Sequence, residues 1–405
     1  MDVATRERST YLRQDLGKGI VKSSYCLTKD GQPEKRHLEI KLPDNMTYEA
    51  GDYLAILPLN PQSTVTRVMK RFEISAFATT TIKPGAATFL PIGVPLPIVE
   101  LLKGFVELSL PATKRHLQTC IACTSGAVER EALHALQSER AFRELNDCHA
   151  SLLDLLERYK TIGLGFNTFI AMLQPLKPPL YSISSSPLLD ATSCTVTYGV
   201  IDEDAKSGNG RYVGVFGSYL SGLVIGDEVL VSVRATNKYF HLPAEISSTP
   251  VLVFGAGTGI APFRGFIQER AQQIAAGRTL APAIMYMGCR SSSSDRLHSD
   301  EMDRWTKLGA VDIKYAFSQE SHASEGCRYI QDRVWKERED VIALWRAGAK
   351  VFVCGGPAVS EGLGDVSQKL LLESIKSRGQ EMSDEEAEKW FQDRRNVRYV
   401  VDVFA

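Results

Sequence analysis

Hydrophobic and polar residues alternate in two separate stretches of the N-terminal part of the chain. In the first stretch Leu38, Ile40 and Leu42 fall on one side of an extended chain, with polar residues between them. The alternation recurs between Val229 and Val233. A period of two, bounded by turn residues, is typical of half-buried antiparallel strands. The pattern therefore predicts an antiparallel sheet or barrel whose strands come from residues 14–60 and 161–245.

The intervening residues, 61–160, have the spacing of amphipathic helices instead. Segments such as 129–146 and 151–159 are rich in Glu, Arg, Leu and Ala. Their apolar residues recur three or four positions apart, which is typical of helices with one buried face. The sequence thus predicts that a helical insert interrupts the antiparallel barrel.

The C-terminal part, residues 246–405, repeats a strand–helix rhythm. Short apolar strands alternate with amphipathic helices, which is typical of a parallel, doubly wound sheet with helices on both faces. The predicted strands are Val251–Phe254, Ala283–Met287, Val311–Ala316, Lys350–Cys354 and Arg398–Phe404. The predicted helices are Ala261–Ala276, Asp295–Leu308, Tyr329–Trp345 and Ala358–Ser377. The expected fold class is α/β with an additional antiparallel β-barrel.

Four loops follow the carboxyl ends of the parallel strands, where ligands bind in doubly wound sheets. They comprise residues 255–259, 288–290, 317–319 and 354–357. The first loop, Gly255–Gly259, lets a phosphate approach the backbone and the free N–H groups of the following helix. It lacks the usual G-x-G-x-x-G spacing, so a tight strand-to-helix turn explains this motif equally well by itself. Its place after the first strand of the sheet favours a dinucleotide site.

Two further clusters lie on the predicted barrel. Tyr181–Pro187 places an aromatic ring beside a row of serine hydroxyls, which can stack on a flat ring and hydrogen-bond to its polar edge. From its chemistry alone a serine-rich turn is the more common explanation. Gly214–Leu220 opens a helical stretch and is either a phosphate-facing helix start or a simple cap.

Composition narrows the class of protein. The 405 residues include 47 Lys and Arg against 48 Asp and Glu, a balance that argues against nucleic acid or an anionic membrane as the main partner. No apolar run approaches the roughly 20 residues that span a bilayer, and residues 1–13 lack the apolar stretch of a secretory signal. The eight cysteines are scattered, several of them inside apolar runs, so we expect reduced thiols in a cytoplasmic protein.

The sequence predicts no metal site. The seven histidines show no clustered ligand spacing. Cys120 and Cys123 have the C-x-x-C spacing of redox sites, but they lie in the helical insert without a second pair for zinc. We therefore interpret them as structural.

Eight short motifs occur in an order that resembles a known family. They are Tyr181–Ser185, Gly214–Leu220, Gly257–Phe263, Gly288–Arg290, Ala316–Ser318, Tyr329–Gln331, Val353–Gly355 and Asp402–Phe404. Together they resemble the ferredoxin–NADP reductase fold of diflavin reductases, and most of all the reductase half of self-sufficient fatty-acid hydroxylases, in which a haem mono-oxygenase is fused to its reductase. The resemblance implies an NADPH-dependent FAD enzyme. It would pass electrons singly to an FMN domain and then to the haem domain, both expected on the same polypeptide.

The resemblance also implies roles for particular residues. Ser182, Cys354 and Asp402 would bracket the nicotinamide carbon and the flavin nitrogen between which hydride moves. Tyr181 and Phe404 would cover the two faces of the flavin ring, and Phe404 would move aside for the nicotinamide. Further FAD contacts are implied at Ser185, Thr195, Val196, Thr197, Gly214, Val215, Phe216, Gly217 and Ser218. Contacts to NADPH are implied at Gly257, Thr258, Gly259, Cys289, Arg290, Ser318, Gln319, Arg328, Tyr329 and Gln331.

The domain organisation follows from the same resemblance. Residues 14–60 and 161–245 would form the FAD-binding barrel, 61–160 a connecting domain that orients the FMN domain, and 246–405 the NADP-binding domain. No flavodoxin-like segment precedes residue 35, so we expect one FAD and no FMN on this chain. Two alternatives stay open, a stand-alone NAD(P)H–FAD reductase of a small electron carrier and a scaffold without catalysis.

Several positions depart from the family pattern. Pro179 stands where an arginine usually pairs with the FAD phosphate, and Phe404 stands where tryptophan is commoner. Gln319 and Cys327 replace two cations that usually surround the 2′-phosphate of NADPH, which leaves Arg328 to supply most of the charge. We therefore expect NADPH to be preferred over NADH by a reduced margin.

Overall fold

Two sheets organise the chain. The structure is a computed structural model, and it describes residues 5–12, 14–83, 89–204, 206, 211–395 and 397–404. A six-stranded antiparallel sheet belongs to the N-terminal part and a five-stranded parallel sheet to the C-terminal part. The strands are β1 (Gly17–Cys26), β2 (Lys35–Lys41), β3 (Tyr53–Leu57), β4 (Thr79–Thr81), β5 (Pro95–Pro97), β6 (Leu180–Ser182), β7 (Ser193–Gly199), β8 (Asp202–Asp204), β9 (Arg211–Val213), β10 (Glu228–Arg234), β11 (Val251–Ala256), β12 (Ala283–Cys289), β13 (Asp312–Phe317), β14 (Lys350–Gly355) and β15 (Tyr399–Val403).

Helices join and cover these strands. The helices are α1 (Thr5–Tyr11), α2 (Gln62–Arg71), α3 (Ile98–Gly104), α4 (Lys114–Ala122), α5 (Ala127–Ala135), α6 (Glu139–Asp147), α7 (Leu152–Arg158), α8 (Phe166–Met172), α9 (Val215–Ser221), α10 (Ile260–Ala275), α11 (Ser299–Lys307), α12 (Ile330–Lys336), α13 (Arg338–Arg346), α14 (Pro357–Lys376) and α15 (Asp384–Arg394). Short 3₁₀ turns cover Gly257–Gly259 and Ser321–Ser324. The α/β class with an antiparallel sheet, predicted from the periodicity, is confirmed.

The antiparallel sheet has the strand order β6-β3-β10-β1-β2-β7. Leu38 of β2 and Val229 of β10, which the alternation assigned to the inside, are fully buried in one apolar cluster. Each such side chain contributes roughly 1.5–3 kcal/mol by leaving water. Directly after β6, Ile183 pairs with Val196 of β7, so the two edge strands of the sheet come together.

Helices α2–α8 lie between β3 and β6 in the chain and pack around a core of their own. Helix α7 begins at a capping box in which Ser151 and Asp154 exchange hydrogen bonds between side chain and backbone. The helical stretch was predicted to end at residue 160, but α8 extends it. Phe169 and Ile170 of α8 are buried in the same core as the earlier helices, which explains the extension.

The parallel sheet has the order β13-β12-β11-β14-β15, and every neighbouring pair is parallel. Successive side chains of each strand point to opposite faces of the sheet. Val253 and Phe352 pack on one face with α10 and α11, whereas Leu252 and Val351 pack on the other with α12–α14. The predicted doubly wound arrangement is confirmed.

One predicted helix starts later than its sequence pattern suggested. Helix α11 begins at Ser299 rather than at Asp295. The Asp295 carboxylate instead accepts hydrogen bonds from Lys35 Nζ at 2.5 Å and from the Arg290 N–H at 2.8 Å. His298 then adopts a left-handed conformation with φ 55°, which a helix cannot contain.

A second predicted helix, Tyr329–Trp345, is divided. Glu337 ends α12 and precedes α13, with φ −102° and ψ 28°. Its carboxylate accepts hydrogen bonds from Arg333 Nε at 2.5 Å and from the Tyr286 hydroxyl at 3.3 Å. The bond from Tyr286 is a tertiary contact, which helical periodicity does not reveal, and it holds Glu337 at the junction of the two helices.

A buried arginine holds the two sheets together. Arg264 of α10 is 4% exposed and donates to both Glu301 carboxylate oxygens at 2.8 Å. Its third nitrogen crosses to the antiparallel sheet, donating to the Ser184 carbonyl at 2.6 Å and to Thr195 Oγ1 at 3.1 Å. This network places the carboxyl ends of the parallel strands beside β6 and β7.

Three further findings concern membrane spans, metal sites and disulfides in the described part of the chain. Within it, no helix combines the length and the apolar character needed to cross a bilayer. No group of three or more His, Cys, Asp and Glu side chains among those residues could hold a metal ion. All eight cysteines are free thiols.

Candidate active site at the junction of the two sheets

Three side chains donate hydrogen bonds to the Asp402 carboxylate. The Ser182 hydroxyl donates to Oδ2 at 3.1 Å, and the Cys354 thiol donates to the same oxygen at 3.7 Å. The Tyr53 hydroxyl donates to Oδ1 at 2.6 Å. The structure therefore brings together the three residues for which hydride-transfer roles were predicted, and it adds Tyr53.

Neighbouring strands position these side chains in pairs. Cys354 of β14 and Asp402 of β15 are register partners in the parallel sheet. Tyr53 of β3 and Ser182 of β6 are register partners in the antiparallel sheet. The cluster therefore receives two residues from each sheet and lies where the sheets meet.

Two of the donors remain protonated near neutral pH. Burial, followed by the charge of Asp402, raises the pKa of the Cys354 thiol well above its usual value, and this residue is 1% exposed. Burial and the hydrogen bond to Asp402 likewise raise the pKa of the Tyr53 hydroxyl. Because the nucleophilic form of cysteine is the thiolate, Cys354 is suited to positioning and not to covalent catalysis.

Tyr53 was missing from the predicted site residues. Its partner Asp402 lies 349 positions away in the sequence, so no local pattern connects them. One indication of this role was present in the sequence, because Tyr53 begins an otherwise apolar strand. A buried tyrosine hydroxyl generally requires a hydrogen-bond partner.

Tyr181 precedes the cluster on β6 and is partly buried. Its ring packs edge-on against Tyr198 of β7, with centroids 6.1 Å apart and an interplanar angle of 68°. Burial raises the pKa of the Tyr181 hydroxyl, so the ring is neutral. A neutral aromatic ring next to Ser182 is able to stack on a flat cofactor.

The serine row that follows β6 is engaged within the protein. Ser185 Oγ lies 2.9 Å from the Tyr48 hydroxyl oxygen and accepts a hydrogen bond from the Thr195 N–H at 3.0 Å. Ser184 Oγ lies 2.8 Å from Thr195 Oγ1. The side chain of Ser185 therefore organises the turn between β6 and β7.

Alternation along β7 separates its three predicted cofactor contacts. Thr195 and Thr197 face the parallel-sheet part, where Thr197 Oγ1 lies 3.0 Å from His298 Nε2. Val196 faces the other way, into the cluster that also contacts Tyr181. The Val196 side chain is fully buried in that cluster, and both threonine hydroxyls have protein partners, so a flavin contact on this strand would involve the backbone.

Helix α9 begins directly after Gly214, and no side chain caps its first N–H groups. Phe216 and Ser218 are partly exposed, while Val215 and Gly217 are buried. A Cβ at Gly217 would lie 3.0 Å from the Gly199 carbonyl oxygen, so the helix approaches β7 too closely for a side chain there. The predicted pyrophosphate contact thus has uncapped N–H donors beside β7.

The turn Gly257–Gly259 lies against the Asp402 cluster. A Cβ at Gly259 would lie 2.2 Å from the Cys354 carbonyl oxygen, so only glycine allows this approach. Gly257 has φ 57°, a left-handed conformation that glycine adopts without strain. Thr258 between them is partly exposed. Lys35 Nζ, which is paired with Asp295, lies 3.7 Å from the Cβ position of Gly257, and the motifs did not indicate this residue.

The loops after β12 and β13 are joined by backbone hydrogen bonds. The Ser318 N–H donates to the Cys289 carbonyl and the Gln319 N–H to the Arg290 carbonyl, each at 2.9 Å. The side chains of Arg290 and Gln319 are exposed, whereas Cys289 is buried in the core and burial raises its pKa to about 12. We therefore limit the predicted nucleotide contact of Cys289 to its backbone.

The start of α12 presents the remaining predicted contacts. Arg328 and Tyr329 are exposed, with the guanidinium carbon 5.4 Å from the ring centroid. Gln331 packs against Gly362, where a Cβ would lie 2.2 Å from the Gln331 amide nitrogen. Cys327 is 3% exposed and points into the core, so Arg328 is the cation that this segment offers.

Phe404 follows the cluster by two residues. Its N–H donates to the Gly355 carbonyl at 3.3 Å, and its side chain is 38% exposed. The ring thus lies at the end of β15, beyond Asp402, with its backbone tied to β14.

Comparisons with known proteins match both parts of the chain. Residues 21–219 match the FAD binding domain, and residues 253–363 match the oxidoreductase NAD-binding domain. The chain is 45% identical over 397 residues to a bifunctional cytochrome P450/NADPH–P450 reductase of Fusarium oxysporum. It is 40% identical over 400 residues to a protein of the same description from Acremonium egyptiacum, and 42% identical over 400 residues to the self-sufficient cytochrome P450 monooxygenase CYP505E3 of Phanerodontia chrysosporium. Each alignment covers 98% of this chain but 37% of the relative.

Proposed function

We propose that this chain, which belongs to the FAD-binding and NAD-binding oxidoreductases that form the reductase portion of fused cytochrome P450 proteins, transfers hydride from NADPH to FAD and releases the electrons singly. One observation carries the proposal. The Asp402 carboxylate, the Ser182 hydroxyl and the Cys354 thiol form a hydrogen-bonded cluster where the two sheets meet. This cluster lies beside a glycine turn suited to a dinucleotide and an aromatic ring suited to a flavin.

The surrounding residues fit both cofactors. Tyr181 offers a neutral, partly buried ring, and helix α9 offers uncapped N–H groups to an anionic pyrophosphate. The turn Gly257–Gly259 offers a side-chain-free surface with Lys35 nearby. These groups would hold the flavin ring, the FAD pyrophosphate and the NADPH pyrophosphate, respectively.

When bound, FAD and NADPH supply the redox chemistry, and the chain supplies orientation and electrostatics. The Ser182 hydroxyl and the Cys354 thiol, both directed to Asp402 Oδ2, would orient a nicotinamide bound beside them. The negative charge of Asp402 favours a neighbouring ring that becomes cationic during the transfer. Tyr181 and Phe404 would cover the two faces of the flavin and exclude water from them.

The three-part organisation supports the same proposal. The pairing of Ile183 with Val196 supports a closed FAD-binding barrel built from residues 14–60 and 161–245. Helices α2–α8 share one core, which supports a connecting domain that continues beyond residue 160 and includes α8. Residues 246–405 form the NADP-binding domain. The eight free thiols fit a reducing cytoplasm.

The electron acceptors are part of the proposal. The relatives' names join a cytochrome P450 to an NADPH–P450 reductase, and the chain spans 37% of their length. An FMN domain and a haem mono-oxygenase on the same polypeptide are therefore the proposed acceptors.

An anaerobic titration tests the proposal. The chain is loaded with FAD and titrated with NADPH while the flavin absorbance is followed. We expect one FAD per chain and complete bleaching at one equivalent of NADPH. A protein that cannot be loaded with FAD, or one that stays yellow with excess NADPH, would favour the scaffold alternative.

A further inference from the structure

Both oxygen atoms of Asp402 are held, and from different strands. Oδ2 accepts hydrogen bonds from Ser182 and Cys354, at 3.1 and 3.7 Å. Oδ1 accepts a single described side-chain bond, from the Tyr53 hydroxyl at 2.6 Å, which is the shortest contact of the cluster. Tyr53 therefore controls the orientation of the carboxylate from the side opposite to the other donors.

We infer that Tyr53 is a positioning residue for hydride transfer, acting through Asp402. The inference rests on the proposed function and names a residue that the family motifs do not include. Tyr53 holds Oδ1 so that Oδ2 stays aimed at Ser182 and Cys354. Without this bond the carboxylate is held at Oδ2 alone, so its plane is less restricted relative to the two donors.

The strand register makes Tyr53 suited to this role. Tyr53 pairs with Ser182 on β6 and with Arg234 on β10, so its backbone is fixed from both sides. Asp402 in turn pairs with Cys354 on β14. The hydrogen bond between Tyr53 and Asp402 therefore connects two backbone positions that their own sheets already hold, and it crosses from one sheet to the other.

The hydroxyl also has the right protonation state. Burial and the neighbouring carboxylate raise the pKa of Tyr53 above its usual value, so the hydroxyl remains a donor throughout the neutral range. A neutral donor adds no charge that would cancel the negative potential of Asp402 beside the nicotinamide. Tyr53 thus orients Asp402 without placing an opposite full charge beside it.

The bond has a second consequence for the C-terminus. In the proposed function Phe404, two residues after Asp402, would move aside to let a nicotinamide reach the flavin. Because Asp402 is tied to β3 through Tyr53, the movement is confined to the residues after Asp402. The carboxylate keeps its place while the aromatic ring leaves.

The test compares Tyr53→Phe with wild type by anaerobic stopped flow, using FAD-loaded protein and NADPH. We expect the limiting rate of flavin reduction to fall roughly tenfold, because one hydrogen bond to a charged group is lost. The NADPH concentration at half-saturation and the FAD content should stay unchanged. Tyr286→Phe is the matched control. Tyr286 also donates a hydrogen bond to a partly buried carboxylate, that of Glu337, at 3.3 Å, and this pair lies outside the site.

A double-mutant cycle separates positioning from a general loss of structure. If Tyr53 acts through Asp402, then Tyr53→Phe has no further effect on the rate in an Asp402→Ala background. Rates are expressed per bound FAD, and Tyr53→Met, which also lacks the donor, should reproduce the loss seen with Phe. An equal loss in both backgrounds, or a wild-type rate in Tyr53→Phe, would overturn the inference. A wild type that NADPH does not bleach would instead overturn the proposed function.

Discussion

Replacing Arg328 by alanine is expected to remove most of the preference for NADPH over NADH. The guanidinium lies over the Tyr329 ring, with 5.4 Å between its central carbon and the ring centroid. The backbone is fixed because the N–H groups of Arg328 and Tyr329 both donate to Asp332 Oδ2, at 3.0 and 2.8 Å. The side chain therefore extends from a rigid turn at the start of α12, where the 2′-phosphate of NADPH is proposed to bind.

The size of the effect follows from the exposure of Arg328. A hydrogen bond to a charged group contributes about 1.5–3 kcal/mol, and an exposed pair falls at the lower end because solvent screens it. About 1.4 kcal/mol corresponds to a factor of ten, so the preference should fall about tenfold. The measurement is kcat/KM for both coenzymes with ferricyanide as acceptor. Arg304→Ala, an exposed arginine on α11, serves as the control.

Two results would refute this reasoning. If wild type favours NADH, the phosphate pocket is assigned to the wrong residues. If Arg328→Ala keeps the wild-type ratio of the two kcat/KM values, as the Arg304→Ala control is expected to do, the charge acts elsewhere. Arg290, also exposed at the neighbouring loop, would then be the next residue to replace.

Two further predictions concern Cys354 and His37. Cys354→Ala should slow flavin reduction roughly tenfold with little change in NADPH affinity, because the thiol orients and does not bind; an unchanged stopped-flow rate would exclude it from the site. Burial, with the charges of Arg264 and His298, lowers the pKa of His37 to about 3. Between about pH 6.5 and pH 3, His37 therefore binds a proton in the unfolded chain but not in the folded protein. The free energy of unfolding should therefore decrease as the pH falls, by on the order of 1–2 kcal/mol from pH 7 to pH 5. His37→Gln should remove that share in urea unfolding whereas the exposed His322→Gln should not, and identical pH slopes for wild type and His37→Gln would contradict the assignment.

The periodicity of the sequence was sufficient for the two large sheets and most helices, but it missed the two-stranded sheets β8–β9 and β4–β5, the latter inside the predicted helical insert. Alternation identified the buried side of β2 and β10, and short apolar runs separated by amphipathic helices identified all five parallel strands. These signals are local, since each depends on residues a few positions apart. The late start of α11 and the break at Glu337 depend on distant partners, Lys35 and Tyr286, respectively, and so were not predictable from local pattern.

The site was predictable to the extent that motifs mark it. Ser182, Cys354 and Asp402 each lie in a recognisable motif, and the structure places them within hydrogen-bonding distance. Tyr53 and Lys35 lie outside the motifs, and both reach the site across more than two hundred positions of sequence. Side-chain direction was equally inaccessible, because a motif names Thr195 without revealing that its hydroxyl faces Arg264.

The central claim is that the Asp402 cluster promotes hydride transfer, and replacement of the carboxylate tests it most directly. The measurement is the limiting rate of flavin reduction by NADPH in anaerobic stopped flow, for FAD-loaded wild type and Asp402→Asn. The asparagine keeps the size of the side chain and an oxygen acceptor but removes the negative charge. We predict a rate at least tenfold lower, with unchanged FAD content, because the charge beside the developing cationic ring is lost. A rate equal to that of wild type would contradict the account.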